Sequence, residues 1–442
     1  MTLIENIRRK EARIAIIGLG HLGLTTATIF AEADFSVVGV DVKLDVVKDV
    51  SCGKNYLEER GLDDLLKEAV GKGKLKATIN ALEAVREADI DIICVQTPVG
   101  EEKKPNLTYI EDACRTVARG LSKGNLVVVG STVPPGTTKG VVARILEEGG
   151  LKCGSDFWLA HCPERITVGS ALRDFIETSR IVGGYDSEST EMAAELYKVV
   201  TKGKLLTSDC TSAEMAKLAE NAFRYVNIAF ANEVALICER TGTDAMEVIR
   251  LANTHPRVAV HKPGSGVGGP CLPKDTHLLL HTAKKSGLGS KVIKRSIELN
   301  ESMPRHIIEL AVRAVKMVGK DIMNSRMVVL GSAFRGEVNV AVESPSEEIV
   351  RALSDLGAQV VVYDPYCEET FGAIKAKGLL EAVDGADCLI IATDHQAFRE
   401  LNLGRIKGLM NENAIIVDGR RVVNPTEARE HGFRYLGIGY HV

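Results

Sequence analysis

Residues 13–23 read RIAIIGLGHLG, and they decide the fold. The apolar residues Ile14 to Ile17 lead into Gly18, Gly20 and Gly23, and the stretch that follows, LTTATIFAEA, has the apolar spacing of a helix. A second apolar run, SVVGVDV, carries Asp41 near its end, 18 residues past Gly23. Strand, glycine turn, helix, strand and acid in this order make a dinucleotide-binding fingerprint. The glycines permit a tight turn and let a pyrophosphate approach the helix N-terminus, where unpaired N–H groups and the helix dipole favour an anion. Asp41 would take the adenosine ribose hydroxyls and repel a 2′-phosphate, which favours NAD over NADP; Lys43, close by, weakens that exclusion.

Outward from this unit, the runs DIICVQTP, LVVVGSTV, FWLAHCP and RIVGG alternate with helical stretches as far as residue 184. That pattern predicts a parallel sheet covered by helices. The texture changes at Asp209. Thr211 and Glu214 have the spacing of a capping box, and the chain then runs without Pro or Gly to Gly242, which predicts one helix of roughly 29 residues, ~44 Å long. Helical pattern continues to about residue 318, broken by a glycine-rich segment at 261–271. After Asn324 the runs RMVVLGSAF, QVVVYDP, DCLIIATDH and AIIVDGR predict a second, smaller Rossmann-like domain. GSAFRG replaces the fingerprint there, so this domain is not expected to bind NAD. The expected fold class is α/β, with two doubly wound Rossmann-like domains, 1–205 and 319–442, joined by a long central helix and a helical dimerisation region at 206–318.

Composition agrees with several ordinary folded domains. The chain has 442 residues, 45% apolar and 26% charged, enough at ~150 residues per domain for about three domains. Its 55 Lys and Arg against 59 Asp and Glu leave a net charge of −4, without the basic excess that nucleic acid or an acidic membrane would call for. The ten cysteines form no Cys-x-x-Cys pair and no zinc-ligand spacing, so reduced thiols and no metal are expected. The N-terminus lacks the hydrophobic core of a signal peptide and no apolar run reaches membrane-spanning length, which predicts a cytoplasmic protein.

Candidate chemistry is concentrated in two places. On the long helix, Lys217, Asn221 and Arg224 fall on one face, as either a solvated salt-bridged stripe or a catalytic one. The segment PGSGVGGPCLPKD, residues 263–275, uses four glycines and three prolines to shape a loop that delivers Cys271 with Lys274 and Asp275 close behind. A thiol beside positive charge deprotonates more easily and becomes a nucleophile. Thr97-Pro98 and Ser131-Thr132-Val133-Pro134-Pro135-Gly136 each follow a strand, at the edge where open α/β sheets place ligands.

The segments GLGHLGLTTA, STVPPGTT, HCPERITVGSA, AKLAENAFRYVNIAFANE, GSGVGGPCLPKD, GSAFRGEVNVAVESPS and VDGRR together resemble the nucleotide-sugar 6-dehydrogenases, in order and spacing, over about residues 12–440. HCPER with FRYVNIAFANE and HPRV is similar to the UDP-N-acetylhexosamine branch, whereas PCLPKD is nearer the UDP-glucose form. The resemblance implies that C6 of a UDP-sugar is oxidised twice, consuming two NAD and yielding a uronic acid, with UDP-N-acetylmannosamine the expected substrate and the N-acetylglucosamine and glucose analogues the alternatives. It implies Lys217 and Asn221 as stabilisers of an alkoxide or oxyanion, Asp275 with a water as general base, and Cys271 as the nucleophile of a thiohemiacetal and then a thioester. Glu164, helped by Thr132 through a water, would assist hydrolysis.

For NAD the same resemblance and the fingerprint give Gly18, Gly20, His21, Leu22, Gly23, Asp41, Lys43, Thr97, Thr132 and Lys274. For the UDP-sugar it gives Arg165, Ile166, Lys217, Asn221, Arg224, His255, Arg257 and Gly268, with Phe334, Arg335 and Arg420 from the C-terminal domain. The position of Arg257 reaches a neighbouring subunit's site in the family, which implies a homodimer. Val340-Ala341-Val342 stands where relatives carry Asp-x-Arg, and Arg335 where Lys is usual. Two rival functions remain on the residues alone: a two-electron hydroxyacid-type dehydrogenase, which needs no Cys271, and a non-catalytic NAD- or UDP-sugar-binding regulator.

Overall fold

The computed structural model describes residues 2–57, 59–100 and 102–441 and divides into two compact units. One comprises Met1–Glu220 with His277–Gly287, the other Asn221–Thr276 with Leu288–Val442.

The first unit is built on an eight-stranded sheet: β1 (Arg13–Ile17), β2 (Ser36–Val40), β3 (Leu75–Thr78), β4 (Ile90–Ile93), β5 (Leu126–Val129), β6 (Trp158–His161), β7 (Arg180–Gly184) and β8 (Leu205–Asp209). The strand order is β3-β2-β1-β4-β5-β6-β7-β8, so the order reverses between β1 and β4, where doubly wound sheets bind ligands. Val- and Ile-rich strands are covered on both faces: Ile14, Ile16, Phe30, Val37 and Ile92 pack on one side, Ala15, Ile93, Val127 and Val129 on the other. The expectation of an all-parallel sheet is corrected at one seam, because β7 runs antiparallel to β6, pairing Ala160 with Gly184. A strand buried on both faces has the same apolar pattern in either direction, so the sequence carries no sign of the reversal.

The long helix spans Cys210–Thr241, 32 residues, and stops at Gly242 with φ +77°. Its start corrects the expected capping box. Asp209 is the cap, its carboxylate accepting from the Ser212 amide at 3.0 Å and the Ser212 hydroxyl at 2.6 Å. Glu214 is fully buried and accepts the amides of Gly136 and Thr138 at 2.5 and 2.7 Å, holding the loop after β5. Long-range loop amides outcompete the local cap because burial leaves them no water to bond.

In the second unit, β9 (Arg326–Leu330), β10 (Gln359–Tyr363), β11 (Ile374–Lys375), β12 (Cys388–Ile391), β13 (Ile415–Asp418) and β14 (Arg434–Gly437) form a parallel sheet in the order β11-β10-β9-β12-β13-β14. This is again the doubly wound order, as the fold class requires. The helix Lys291–Met317 packs Ile307, Ala311 and Val315 into the core on one face of this sheet. The segment 263–271 runs without helix or strand into the helix Leu272–Lys285.

Candidate functional site

The glycine fingerprint lies at the C-terminal end of β1. Gly18 has φ +96°, donates its amide to Val40 O at 2.8 Å, and would place a Cβ 2.9 Å from Cys94 O. A Cβ on Gly23 would fall 1.8 Å from Gly18 O, so only glycine lets the helix His21–Glu32 start this close to the turn. Around Gly20 a Cβ would meet nothing within 4 Å, and no side chain caps the helix. An open concavity over uncapped amides fits a pyrophosphate. Asp41 is oriented by the amides of Leu19 at 3.0 Å and Lys43 at 2.9 Å, and Lys43 itself is exposed. Leu22 is half-buried; His21 is held below the usual histidine range by burial, opposed by Glu59. Tyr56, which the sequence did not single out, buttresses the turn by donating to Leu19 O at 2.6 Å, and burial beside Asp41 and Asp49 pushes its hydroxyl up to about 12. The Thr97 hydroxyl donates to Thr132 O at 2.6 Å, tying together the loops after β4 and β5.

Glu164 follows β6 and is buried. One carboxylate oxygen accepts the Arg165 amide at 2.7 Å and the other pairs with Arg180 at 3.3 Å. Arg180 is buried as well: it donates to Phe175 O at 3.0 Å and lies 4.0 Å over the Phe175 ring. The Arg165 guanidinium is committed to Glu220 at 2.5 Å and to Ser179 O at 2.8 Å, while Ile166 packs on the apolar core of the unit. Lys217, 8% exposed, has Glu220 at 3.6 Å. His161 is buried, and burial followed by the charge of Lys217 drives its ring down to about 3. Arg180 escaped the sequence reading because its partner Glu164 is 16 residues away along the chain, and the bond of Glu220 to Arg165 because it spans 55.

In the second unit, Asn221 is fully buried and donates to Asp275 at 2.5 Å, while its carbonyl accepts from Arg224. Lys274 lies 2.8 Å from the other oxygen of Asp275. Lys274, Asp275, Asn221 and Arg224 thus form one connected chain, which a merely solvated stripe would not make. Cys271 is exposed immediately before the helix that carries Asp275, and its carbonyl accepts the Asp275 amide at 2.8 Å.

The glycine-rich loop is fixed by backbone contacts. Gly264 N donates to Asn232 at 2.8 Å and Gly269 N to Val342 O at 2.9 Å; a Cβ on Gly268 would sit 2.3 Å from Glu343 O. Phe334 packs on Gly269, where a Cβ would come within 2.6 Å of the ring, and its amide donates to Val340 O at 3.0 Å. Val340 and Val342 therefore hold this region through their carbonyls, which any residue supplies. Arg335 stands 5.8 Å from the Phe334 ring, and Arg420 donates to Asp394 at 2.9 Å beside Gly264. His255 and Arg257 are exposed, with the Arg257 amide on His255 Nδ1 at 3.3 Å.

In the first unit the open glycine fingerprint with its strand-end acid has the geometry of a nicotinamide-dinucleotide site, and in the second an exposed cysteine ends a glycine loop. Family models match residues 12–201, 211–302 and 328–425, described as the NAD binding domain, central domain and UDP binding domain of the UDP-glucose/GDP-mannose dehydrogenase family. UDP-N-acetyl-D-mannosamine dehydrogenase of Pyrococcus horikoshii is 40% identical, over 97% of this chain and 99% of its own. The enzyme of that name from Methanocaldococcus jannaschii is 37% identical over 97% of this chain and 96% of its own. A solved structure of the Pyrococcus horikoshii UDP-D-ManNAc dehydrogenase superposes with a TM-score of 0.91, at 40% identity, covering 97% of this chain and 99% of that one. The chain belongs to the UDP-glucose/GDP-mannose dehydrogenase family. It is an NAD-dependent nucleotide-sugar dehydrogenase with an N-terminal NAD-binding and a C-terminal UDP-binding domain.

Proposed function

We propose that the chain oxidises C6 of UDP-N-acetyl-D-mannosamine through four electrons to UDP-N-acetyl-D-mannosaminuronate. The names of the full-length relatives support the substrate. The observation that carries the chemistry is Cys271, exposed at the end of a glycine-shaped loop one turn ahead of an Asp275 already held by Asn221 and Lys274. NAD, when bound over Gly18, Gly20 and Gly23 with Asp41 on its ribose, supplies the hydride acceptor. Asp275, through a water, takes the hydroxyl proton, while Lys217 and Asn221 stabilise the oxygen as charge develops. Cys271 Sγ adds to the carbon of the aldehyde left by the first hydride loss, and loss of the hydride of that thiohemiacetal to a second NAD leaves a thioester. Glu164, with Thr132 and a water, assists its hydrolysis; the ion pair with Arg180 orients the carboxylate.

We assign the work to three segments: cofactor binding to 1–205, the nucleophile and helix-borne stabilisers to 206–318, and the nucleotide of the substrate to 319–442. Arg165, Ile166, Arg224, His255, Arg257 and Gly268 complete the sugar-diphosphate contacts, Arg165 sharing its charge with Glu220. Phe334, Arg335 and Arg420 serve the uridine diphosphate, where guanidinium groups suit phosphate oxygens. His21, Leu22, Lys43, Thr97 and Lys274 belong to the cofactor side. The working form is a homodimer, because Phe223, Phe230 and Ile237 stand 65%, 53% and 54% exposed at seven-residue steps along the long helix. A cytoplasmic setting suits ten cysteines that form no disulfide.

The test is NADH production on UDP-N-acetylmannosamine, UDP-N-acetylglucosamine and UDP-glucose side by side. A site that pairs a donor with the acetamido carbonyl leaves that donor unpaired with glucose, which sets roughly 10- to 100-fold discrimination in kcat/KM. Faster turnover of UDP-glucose than of both N-acetylated sugars would overturn the branch, and preference for UDP-N-acetylglucosamine the epimer.

A further inference from the structure

The two doubly wound sheets begin with the same turn but use it differently. Gly331 ends β9 with φ +96° and donates its amide to Tyr363 O at 2.9 Å, as Gly18 does to Val40 O at 2.8 Å with the same φ. Asp364 directly follows β10, as Asp41 follows β2, and accepts the turn amides of Ser332 at 2.8 Å and Ala333 at 3.0 Å. By position Asp364 is the acid that would read a ribose.

Unlike Asp41, its carboxylate has no oxygen to spare. The side chain is fully buried, and besides the two turn amides it accepts from Tyr366 N at 2.8 Å, Cys367 N at 2.9 Å and His395 Nε2 at 3.0 Å. His395 is itself fully buried, with its Nδ1 accepting the Glu337 amide at 3.0 Å, which fixes the proton on Nε2 and makes it the donor to Asp364.

These bonds converge on residues 332–337, the loop that carries Phe334 and Arg335. Asp364 holds its start and His395 its end, where Glu337 is kept at φ +62°, a conformation that a non-glycine residue adopts only under constraint. The Glu337 carboxylate is tied in turn to Gln396 N at 2.8 Å and the Tyr366 hydroxyl at 3.1 Å. Asp394, next to His395, accepts the Gly336 amide at 3.2 Å and Arg420 at 2.9 Å on the same oxygen, so it couples the loop to the arginine on the far side. Thr393 closes the set by donating to Ala333 O at 2.7 Å.

We propose that Asp364, His395 and Asp394 are positioning residues that clamp residues 332–337 and Arg420 into the geometry that receives the substrate's nucleoside diphosphate. The clamp consumes the acid that would otherwise offer this domain a ribose of its own. It converts a dinucleotide-type turn into a rigid ledge for a different nucleotide. The inference rests on the assignment of Phe334, Arg335 and Arg420 to the UDP moiety.

The experiment titrates UDP and, separately, NAD into the full-length protein and its His395→Ala, His395→Gln, Asp364→Asn and Asp394→Asn variants. The wild type is expected to bind UDP. Loss of one buried, charge-assisted hydrogen bond is expected to weaken UDP roughly tenfold or more in His395→Ala and Asp364→Asn, with NAD affinity unchanged. His395→Gln, whose amide can still donate toward Asp364, should recover much of the loss. Asp394→Asn, nearly isosteric and partly exposed, keeps the test available if the buried variants do not fold. Unchanged UDP affinity in folded variants, or parallel losses of UDP and NAD affinity, would overturn the clamp. A wild type that binds NAD but no UDP would instead overturn the substrate assignment beneath it, and the clamp with it.

Discussion

On β4, between Ala15 of β1 and Val127 of β5, Asp91 is fully buried and neither carboxylate oxygen has a hydrogen-bond partner among the described residues. Burial, with Asp89 nearby, raises its pKa well above the ordinary 3.8, so the folded chain favours the neutral acid. A group with a raised folded pKa contributes most below its unfolded value and loses that contribution as pH climbs through the folded one. Asp91→Val should therefore stabilise the protein at neutral pH, by about 1–3 kcal/mol, and flatten the decline of stability from acid to neutral pH in denaturant melts. A destabilised variant would mean that the carboxyl is satisfied by a bound water. Cys271 is the opposite case, an exposed side chain at the end of its glycine loop. Cys271→Ser should bind NAD and UDP-sugar normally yet form uronate at least ~100-fold more slowly, because a serine hydroxyl is hardly ionised at neutral pH. Product analysis checks this, and uronate formed at the wild-type rate would remove the thiol from the mechanism.

Elements differ in how much of themselves they wrote into the sequence. The Val- and Ile-rich strands β1, β2, β4, β5, β7, β9, β10, β12 and β13, and the apolar β6 (WLAH), were legible, since burial on both faces demands apolar residues. β3 (LKAT), the mostly exposed β8 (LLTSD), the two-residue β11 and β14 (RYLG) were not: all four lie at sheet edges, and none is rich in β-branched side chains. The long helix announced its length and its Gly242 stop, but Glu214 misled on its start because the amides it serves lie 76 and 78 residues upstream. Its exposed Phe223, Phe230 and Ile237 lead to a prediction at this scale. Phe230→Asp should shift the mass in light scattering from dimer to monomer, since a charge at the centre of an apolar seam costs several kcal/mol to bury. An unchanged dimer would place the interface elsewhere.

For the whole molecule, the glycine fingerprint, the lysine–asparagine pair and the glycine–cysteine loop could be read in advance because each is local, fixed by spacing along one segment. The supports behind them could not. Arg180 behind Glu164, Glu220 on Arg165, Asn232 under the glycine loop, and His395 with Asp364 under Phe334 all join residues far apart in sequence. Such pairs carry no periodic signal, so only the folded chain reveals them. Family membership narrows the activity to a nucleotide-sugar dehydrogenase, and the thiol chemistry proposed for Cys271 then fixes the number of electrons. The most direct measurement is the NADH formed per UDP-N-acetyl-D-mannosamine consumed at completion. Two NADH with uronate as the sole sugar product are expected if the thiol carries the aldehyde to a thioester. One NADH with aldehyde released would contradict the account and leave a two-electron dehydrogenase.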